Sequence, residues 1–374
     1  MSQANVLMIT CHDIGQHLGC YGAESVHTPN LDELAERGVR FQNFYSTSAV
    51  CSPGRGSLHT GRYPQSNGLM GLTHAPWWWS LNDGERHTAS LLQEQGYVTT
   101  LIGFNHVDPQ NPERLGYNEV RSTEDHAPET VEATLDLIHH AGEDDRPFFA
   151  KVGFTEVHRP FTHGHDTEAG VFIPGWLQAS PQVREDLAAF QATIRYFDAR
   201  VGEILDELAS SDLAENTLVV FTSDHGIPYP GAKWTVRQAG VSIPLILYQP
   251  GTVFEGGEVI EDVMSNVDVL PTLLDYLDVP IPEAVEGASW METLQDAAPP
   301  PRDAAFAQYT PDMKRDNLSR AILTDHYHLI RYFDQGRVVD YPVDVHPQAF
   351  ADHVHRCPTK GTRRNAGPIA ASIT

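Results

Sequence analysis

Lysine is nearly missing from this chain. Only four of 374 residues are Lys (Lys151, Lys233, Lys314 and Lys360). The 25 basic residues face 50 acidic ones, for a formal net charge of −25. Phosphate backbones demand clustered Lys and Arg, so nucleic acid is not expected as a partner. Such a surface suits either a high-salt environment or an ordinary acidic cytosolic protein. Long apolar runs are also missing. None approaches the roughly 20 residues that a membrane span needs, so no membrane association is expected. Cysteine is scarce, with Cys11, Cys20, Cys51 and Cys357 only. Their spacings match no zinc pattern, and a disulfide framework is not expected in a chain this long without a secretory signal. The N-terminal residues MSQANVLMIT show no basic region and no cleavage site. A cytoplasmic location is therefore the expectation.

What is present is an alternation of two patterns. Apolar, β-branched runs at 5–10, 98–103, 147–154, 217–224 and 244–248 read as strands. Helical periodicity occupies 29–38, 89–95, 129–140, 181–210 and 269–277. Near-continuous apolar strands separated by helices predict an α/β fold, with a mostly parallel central sheet flanked by helices. Residues 1–280 form one large domain on this reading. A Pro-, Ala- and acid-rich connector leads to a small C-terminal subdomain at 305–354, with a strand or hairpin at 321–333. Residues 355–374 read as a loose tail.

In open α/β sheets functional groups collect beyond the carboxyl ends of the strands. Polar clusters fall at those places: Cys11-His12-Asp13, Asn105-His106, His158-Arg159 and Asp224-His225. Each residue has a plainer reading. Asp13 could cap a helix, Asp224-His225-Gly226 could be a turn, and a lone His is often a hydrogen-bonded structural group.

The segment Cys51-Ser52-Pro53-Gly54-Arg55, continued by Gly-Ser-Leu-His-Thr-Gly-Arg62, resembles the maturation signal of the sulfatase family. That resemblance implies conversion of Cys51 to formylglycine by a formylglycine-generating enzyme. The hydrated aldehyde offers one oxygen to attack sulfur and a second to expel sulfate. The segment is expected to open a helix at 56–60, so that free N–H groups and Arg55 stabilise anionic oxygens.

Further motifs agree. Asn5–Cys11 followed by His12-Asp13 resembles the family's first strand, where two carboxylates bind a divalent metal. Asp13 matches the second carboxylate. His12 replaces the first, either as a ligand or as a group behind the ligands. Asp224-His225-Gly226 resembles the distal metal pair of the alkaline-phosphatase superfamily, and Lys233 fits the Lys that contacts sulfate and leaving group. Gly103-Phe104-Asn105-His106 resembles a Gly-Lys-x-His strand end. His106 matches the base that deprotonates the hydrate, but Phe104 stands where the family has Lys. His158 matches the proton donor to the leaving group.

The resemblance extends over about residues 5–335, closest to the heparan N-sulfatase group. It implies an alkaline-phosphatase-like fold with a C-terminal subdomain that reads as truncated. It also implies hydrolysis of a sulfate ester or sulfamate on a sugar, with a small anionic sulfated substrate. The metal set would be Asp13, Asp224, His225 and Cys51, with His12. Calcium is the metal by resemblance, whereas the imidazoles favour manganese or zinc. Competing readings are a formylglycine-dependent phosphonate monoester or phosphodiester hydrolase, and a catalytically silent binding protein. The triplet Trp77-Trp78-Trp79 reads as a buried packing cluster or, less simply, a sugar-pocket wall.

Overall fold

The computed structural model describes residues 3–121, 126–310 and 318–333, and the backbone of 369–373. At its centre lies β1 (Asn5–Cys11), buried along its whole length. Its side chains alternate between two cores, as the two-residue period of a strand requires. Leu7, Ile9 and Cys11 join one core, Val6 and Met8 the other. The remaining strands of this sheet are β2 (Val39–Tyr45), β3 (Val98–Gly103), β4 (Glu119–Arg121), β5 (Phe148–Gly153), β6 (Thr217–Ser223), β7 (Leu245–Tyr248) and β8 (Glu258–Ser265). Their order is β4-β3-β5-β1-β6-β7-β2-β8. β7 runs antiparallel to β6 and β2, and the other described pairings are parallel.

Helices cover both faces. On one side α1 (Pro29–Arg37), α5 (Ala127–His140) and α6 (Pro181–Ser210) pack over Leu7 and Ile9. On the other, α2 (Cys51–Thr60), α4 (Thr88–Glu94) and α8 (Val269–Tyr276) pack over Val6 and Met8. Short helices α3 (Pro64–Asn67), α7 (Gln238–Val241) and α9 (Met291–Leu294) lie in the connections. The long α6 shows how the pattern works. Ser180 caps it by accepting from Val183 N, and Pro181 occupies the first turn, where its missing N–H costs nothing. Val183, Leu187, Phe190, Ile194, Phe197, Val201, Ile204 and Leu208 then repeat at alternating intervals of four and three, and all are buried. No helix among the described residues is long and apolar enough to cross a membrane.

A second, antiparallel sheet follows in the order β12-β11-β10-β9, from β9 (Ala305–Tyr309), β10 (Ser319–Leu323), β11 (Tyr327–Tyr332) and β12 (Ile369–Ile373). The expected hairpin is β10–β11. The expected tail differs at 369–373, whose backbone pairs with the outer edge of β11. That edge otherwise offers unpaired N–H and C=O groups. The rest of the stretch 334–368, Cys357 included, lies outside the described residues.

All five expected strands form, and three more, β2, β4 and β8, join them in the large sheet. β2 and β8 escape a search for apolar runs because their burial is mixed, and β8 is an edge strand. The expected helix at 56–60 is also corrected, since α2 begins at Cys51 itself. Pro53 does not prevent this, because first-turn N–H groups have no intrahelical partner.

Candidate active site

β1, α2 and β6 bring five donor groups to one buried point. β1 delivers His12 and Asp13 beyond its carboxyl end, β6 delivers Asp224 and His225, and α2 starts with Cys51. One ligand atom from each residue lies within 4.8 Å of every other, and all five residues are buried. Asp13 holds a left-handed φ of 51°, and its N–H donates to Asp224 Oδ1 at 3.1 Å. The start of α2 is pressed against the Asp224 backbone at Gly54. A Cβ there would sit 2.8 Å from Asp224 O and 2.9 Å from Ser46 Oγ. Asn266 fastens the same turn, donating to Gly54 O at 2.9 Å and accepting from Thr47 N at 3.1 Å.

The donor set fits a divalent cation. His225 Nδ1 donates to the Gly226 carbonyl at 2.9 Å, which directs Nε2 inward, 3.2 Å from both Cys51 Sγ and Asp13 Oδ1. A backbone carbonyl behind a ligating imidazole is the usual way to fix its tautomer. His12 Nδ1 comes within 2.8 Å of Asp224 Oδ2. Yet neither His12 Nδ1 nor Asp13 Oδ1 completes a hydrogen bond, although both are buried. Buried polar atoms are rarely left so, and a shared cation would satisfy both.

The electrostatics agree. Burial works to lower the pKa of His12, but the Asp224 carboxylate overrides it and lifts the ring to about 10. Burial likewise opposes protonation of His225, while Asp224, Cys51 and Asp13 raise it to about 9. Against burial, Lys233, His158 and His225 hold Asp13 far below the carboxylate range. His225, His12 and Arg55 do the same for Asp224. Burial would raise the Cys51 thiol, but Lys233, His225 and His12 pull it well below its ordinary value. The field that draws protons onto these imidazoles is one that attracts a metal ion.

The other expected residues surround this point. Lys233 Nζ donates to Asp13 Oδ2 at 2.7 Å. His158 Nδ1 donates to Arg159 O at 2.7 Å, and its Nε2 lies 3.9 Å from Asp13 Oδ2. The ring centroids of His106 and His158 are 5.9 and 5.3 Å from that of His12. Burial lowers the pKa of His106, partly offset by the neighbouring Cys51. Arg55 is buried, with each terminal nitrogen committed. Nε donates to Asp224 Oδ2 at 3.1 Å, one Nη to Thr10 Oγ1 at 3.2 Å and the other to Cys11 O at 2.8 Å. Its guanidinium therefore holds Asp224 and the end of β1. Phe104 packs between the rings of the site, 4.4 Å from His12 and 5.2 Å from the Arg55 guanidinium carbon.

Two residues escaped the sequence reading. Lys151 is buried on β5, and its ammonium donates to Phe104 O. The signal was there, since a Lys inside the apolar run Phe-Phe-Ala-Lys-Val-Gly demands a partner. His74 stacks on His106 with centroids 5.3 Å apart and planes at 9°. Nothing local marks it, because this contact joins separate loops.

Comparison with known proteins agrees with this geometry. The sulfatase family model matches residues 4–279, and the model of the N-sulphoglucosamine sulphohydrolase C-terminal region matches 232–353. The chain is 31% identical to human (Homo sapiens) N-sulphoglucosamine sulphohydrolase over 308 residues, covering 74% of this chain and 61% of that protein. It is 27% identical to an ulvan-active sulfatase of Formosa agariphila, covering 79% of this chain and 65% of that one. Thus the chain spans less than two thirds of the length of these two relatives. A solved structure of a protein in complex with its substrate D-glucosamine-2-N,6-O-disulfate superposes with a TM-score of 0.73 at 19% identity, covering 90% of each chain. With a matching family model over most of its length and a fold shared with solved relatives, the chain belongs to the sulfatase family.

Proposed function

We propose that this chain hydrolyses a sulfate ester or sulfamate on a sugar, with Cys51 matured to formylglycine. The observation that carries the reading is the placement of Cys51 at the first residue of α2, inside the five-residue donor set. The name of the human relative supports a sulfated amino sugar, and that of the Formosa agariphila relative a sulfated polysaccharide.

When present, a hydrated formylglycine supplies a hydroxyl nucleophile and a divalent cation supplies Lewis-acid polarisation. Asp13, Asp224, His225 and residue 51 would hold the cation, with His12 beside them. Two imidazoles in the set support manganese or zinc over calcium, which prefers an all-oxygen shell. The chain's own side chains do the rest. His106, next to residue 51, accepts the nucleophile's proton. Lys233, steadied by Asp13, neutralises the transferred anion. His158, with Nδ1 tied to Arg159 O, keeps Nε2 on the reaction side to protonate the departing oxygen or nitrogen. Arg55 fixes Asp224 and the end of β1.

One observation favours a second reading. At 104 the family's Lys is replaced by a phenyl ring packed on His12. A site with one cation fewer, and an Asp-His metal pair, suits phosphonate monoesters too. The test is the mass of the Cys51 peptide after expression with a formylglycine-generating enzyme, followed by paired rates. Conversion lightens the peptide by roughly 18 Da, as sulfur and two hydrogens leave and oxygen enters. Turnover of glucosamine N-sulfate and an aryl sulfate faster than an aryl phosphonate is expected. The opposite order overturns the sulfatase reading. A thiol that persists supports the silent binding protein.

A further inference from the structure

Three imidazoles around the reaction centre are fixed in the same way. Nδ1 of His225, His158 and His74 each donates to the carbonyl of the following residue, Gly226, Arg159 and Ala75, at 2.9, 2.7 and 2.9 Å. His106 differs. Its Nδ1 is buried and makes no hydrogen bond among the described residues. A general base must keep its nitrogen within hydrogen-bond reach of the proton it takes. The torsion that turns a His ring about its Cβ–Cγ bond is broad and gives little guidance of its own. Something other than a hydrogen bond must therefore set the plane of this ring.

Other rings surround it. Phe104 and His12 make T-shaped contacts with His106, at centroid distances of 5.2 and 5.9 Å and with planes at 68° and 64°. His74 lies parallel to it instead, at 5.3 Å and 9°, and so covers one of its faces. A parallel pair at that separation is offset-stacked, an arrangement that aromatic rings prefer. Turning His106 out of its plane breaks this stack.

His74 is braced in turn, although it is exposed. Its carbonyl accepts from Trp77 N at 2.9 Å and from Trp78 N at 3.2 Å. Its ring meets Trp77 edge-on at 5.0 Å and 84°. Trp77 packs against the core that holds Cys51 and Trp234. Trp78 and Trp79 are 62% and 42% exposed, which corrects the expectation of a buried triplet. Only Trp77 is the packing residue. The brace thus starts in the core that contains residue 51, passes through Trp77 and His74, and ends on the ring of His106.

We propose that His74 is a positioning residue, whose imidazole stacks on His106 and sets the plane in which that ring faces residue 51. The role needs a flat ring and no proton. The stack stands on the geometry alone, whereas the work of His106 as a base rests on the proposed function. The test reads the two separately.

His74→Ala, His74→Phe and His74→Gln are compared with the unsubstituted enzyme, each matured, on glucosamine N-sulfate. His74→Ala is expected to lose about 10–100-fold in kcat with KM changed by no more than about twofold. His74→Phe should recover kcat to within about threefold, because the flat ring remains, and His74→Gln should not. An unchanged kcat in His74→Ala, a loss carried by KM, or a Phe variant as poor as the Ala variant overturns the proposal. The second measurement uses the protein with Cys51 unconverted. Ring-carbon NMR relaxation is followed for His106, whose signal is assigned by its loss in His106→Asn. The ring should be rigid in the unsubstituted and His74→Phe proteins and mobile in His74→Ala. A ring equally rigid in His74→Ala overturns the proposal whatever the kinetics. If even the unsubstituted enzyme turns over neither glucosamine N-sulfate nor an aryl sulfate, the sulfatase reading is what has failed, and ring mobility alone decides the role of His74.

Discussion

Cys51 Sγ and His225 Nε2 lie 3.2 Å apart, and the other nitrogen of that imidazole is bound to its own neighbour's carbonyl, Gly226 O. The ring is thus held from behind and presents one nitrogen to Cys51. Removing it should empty the centre of metal without unfolding the sheet. For His225→Ala, affinity for Mn2+ or Zn2+ is expected to fall about 100-fold or more, measured by calorimetric titration. Unchanged affinity would mean that the carboxylates alone bind the ion.

His158 should matter in proportion to how badly the leaving group needs a proton. An amine or alkoxide needs one, whereas a nitrophenolate does not. His158→Ala is expected to lower kcat about 100-fold or more on glucosamine N-sulfate and far less on 4-nitrophenyl sulfate. Parallel losses on the two substrates would assign this side chain to binding instead.

Gly54 is where the helix of the nucleophile touches the strand end that holds Asp224. A methyl group there meets Asp224 O and Ser46 Oγ at under 3 Å. Gly54→Ala is expected to cost about 1–3 kcal/mol of stability in urea unfolding. Because the shift moves residue 51 against its partners, metal affinity should fall as well.

Acid should weaken the fold before the carboxylates respond. His87 Nδ1 accepts from Ala89 N and so caps α4 as a neutral ring. Burial, helped by Lys151, pushes its pKa down to about 3, and burial alone does the same for His17. A His pKa depressed in the folded state gives stability that is complete above the unfolded value near 6.5. That stability is lost as pH falls from there toward 3. The melting temperature is therefore expected to drop between pH 6.5 and about 4.5, above the range where unfolded carboxylates take up protons. In His87→Asn, which keeps an acceptor at the cap, the drop should be shallower. An unaltered slope would rule out His87 as a source.

Much of this site could be read from the chain because each group follows a strand that announces itself. The run Asn5–Cys11 is apolar enough to be a central strand, so His12 and Asp13 must lie at its end. The same logic located His106 and Asp224. It did less well where burial is one-sided, as in β2 and β8, or where a helix starts on an unusual residue, as α2 does at Cys51. It could not see partners. Arg55 looked like a group for substrate oxygens, and its nitrogens are bound to Asp224, Thr10 and Cys11. Lys151 beneath Phe104 and His74 against His106 come from chain segments far from the motifs they touch. Such meetings depend on how loops cross, which periodicity does not encode.

The small sheet binds the segment just before the nucleophile. Gln308 N donates to Thr47 O at 2.8 Å, β9 bridges to Ser48, and Trp234 N donates to Ala49 O. Cys51 itself is 4% exposed, in the first turn of a packed helix. An enzyme that rewrites a cysteine needs the peptide in hand, extended and open. The native chain offers neither. On the proposed maturation of Cys51, the modification would have to come before folding, while this stretch is still extended and the C-terminal strands have not yet closed over it. On that reading, a molecule that folds first would keep Cys51 as a buried thiol.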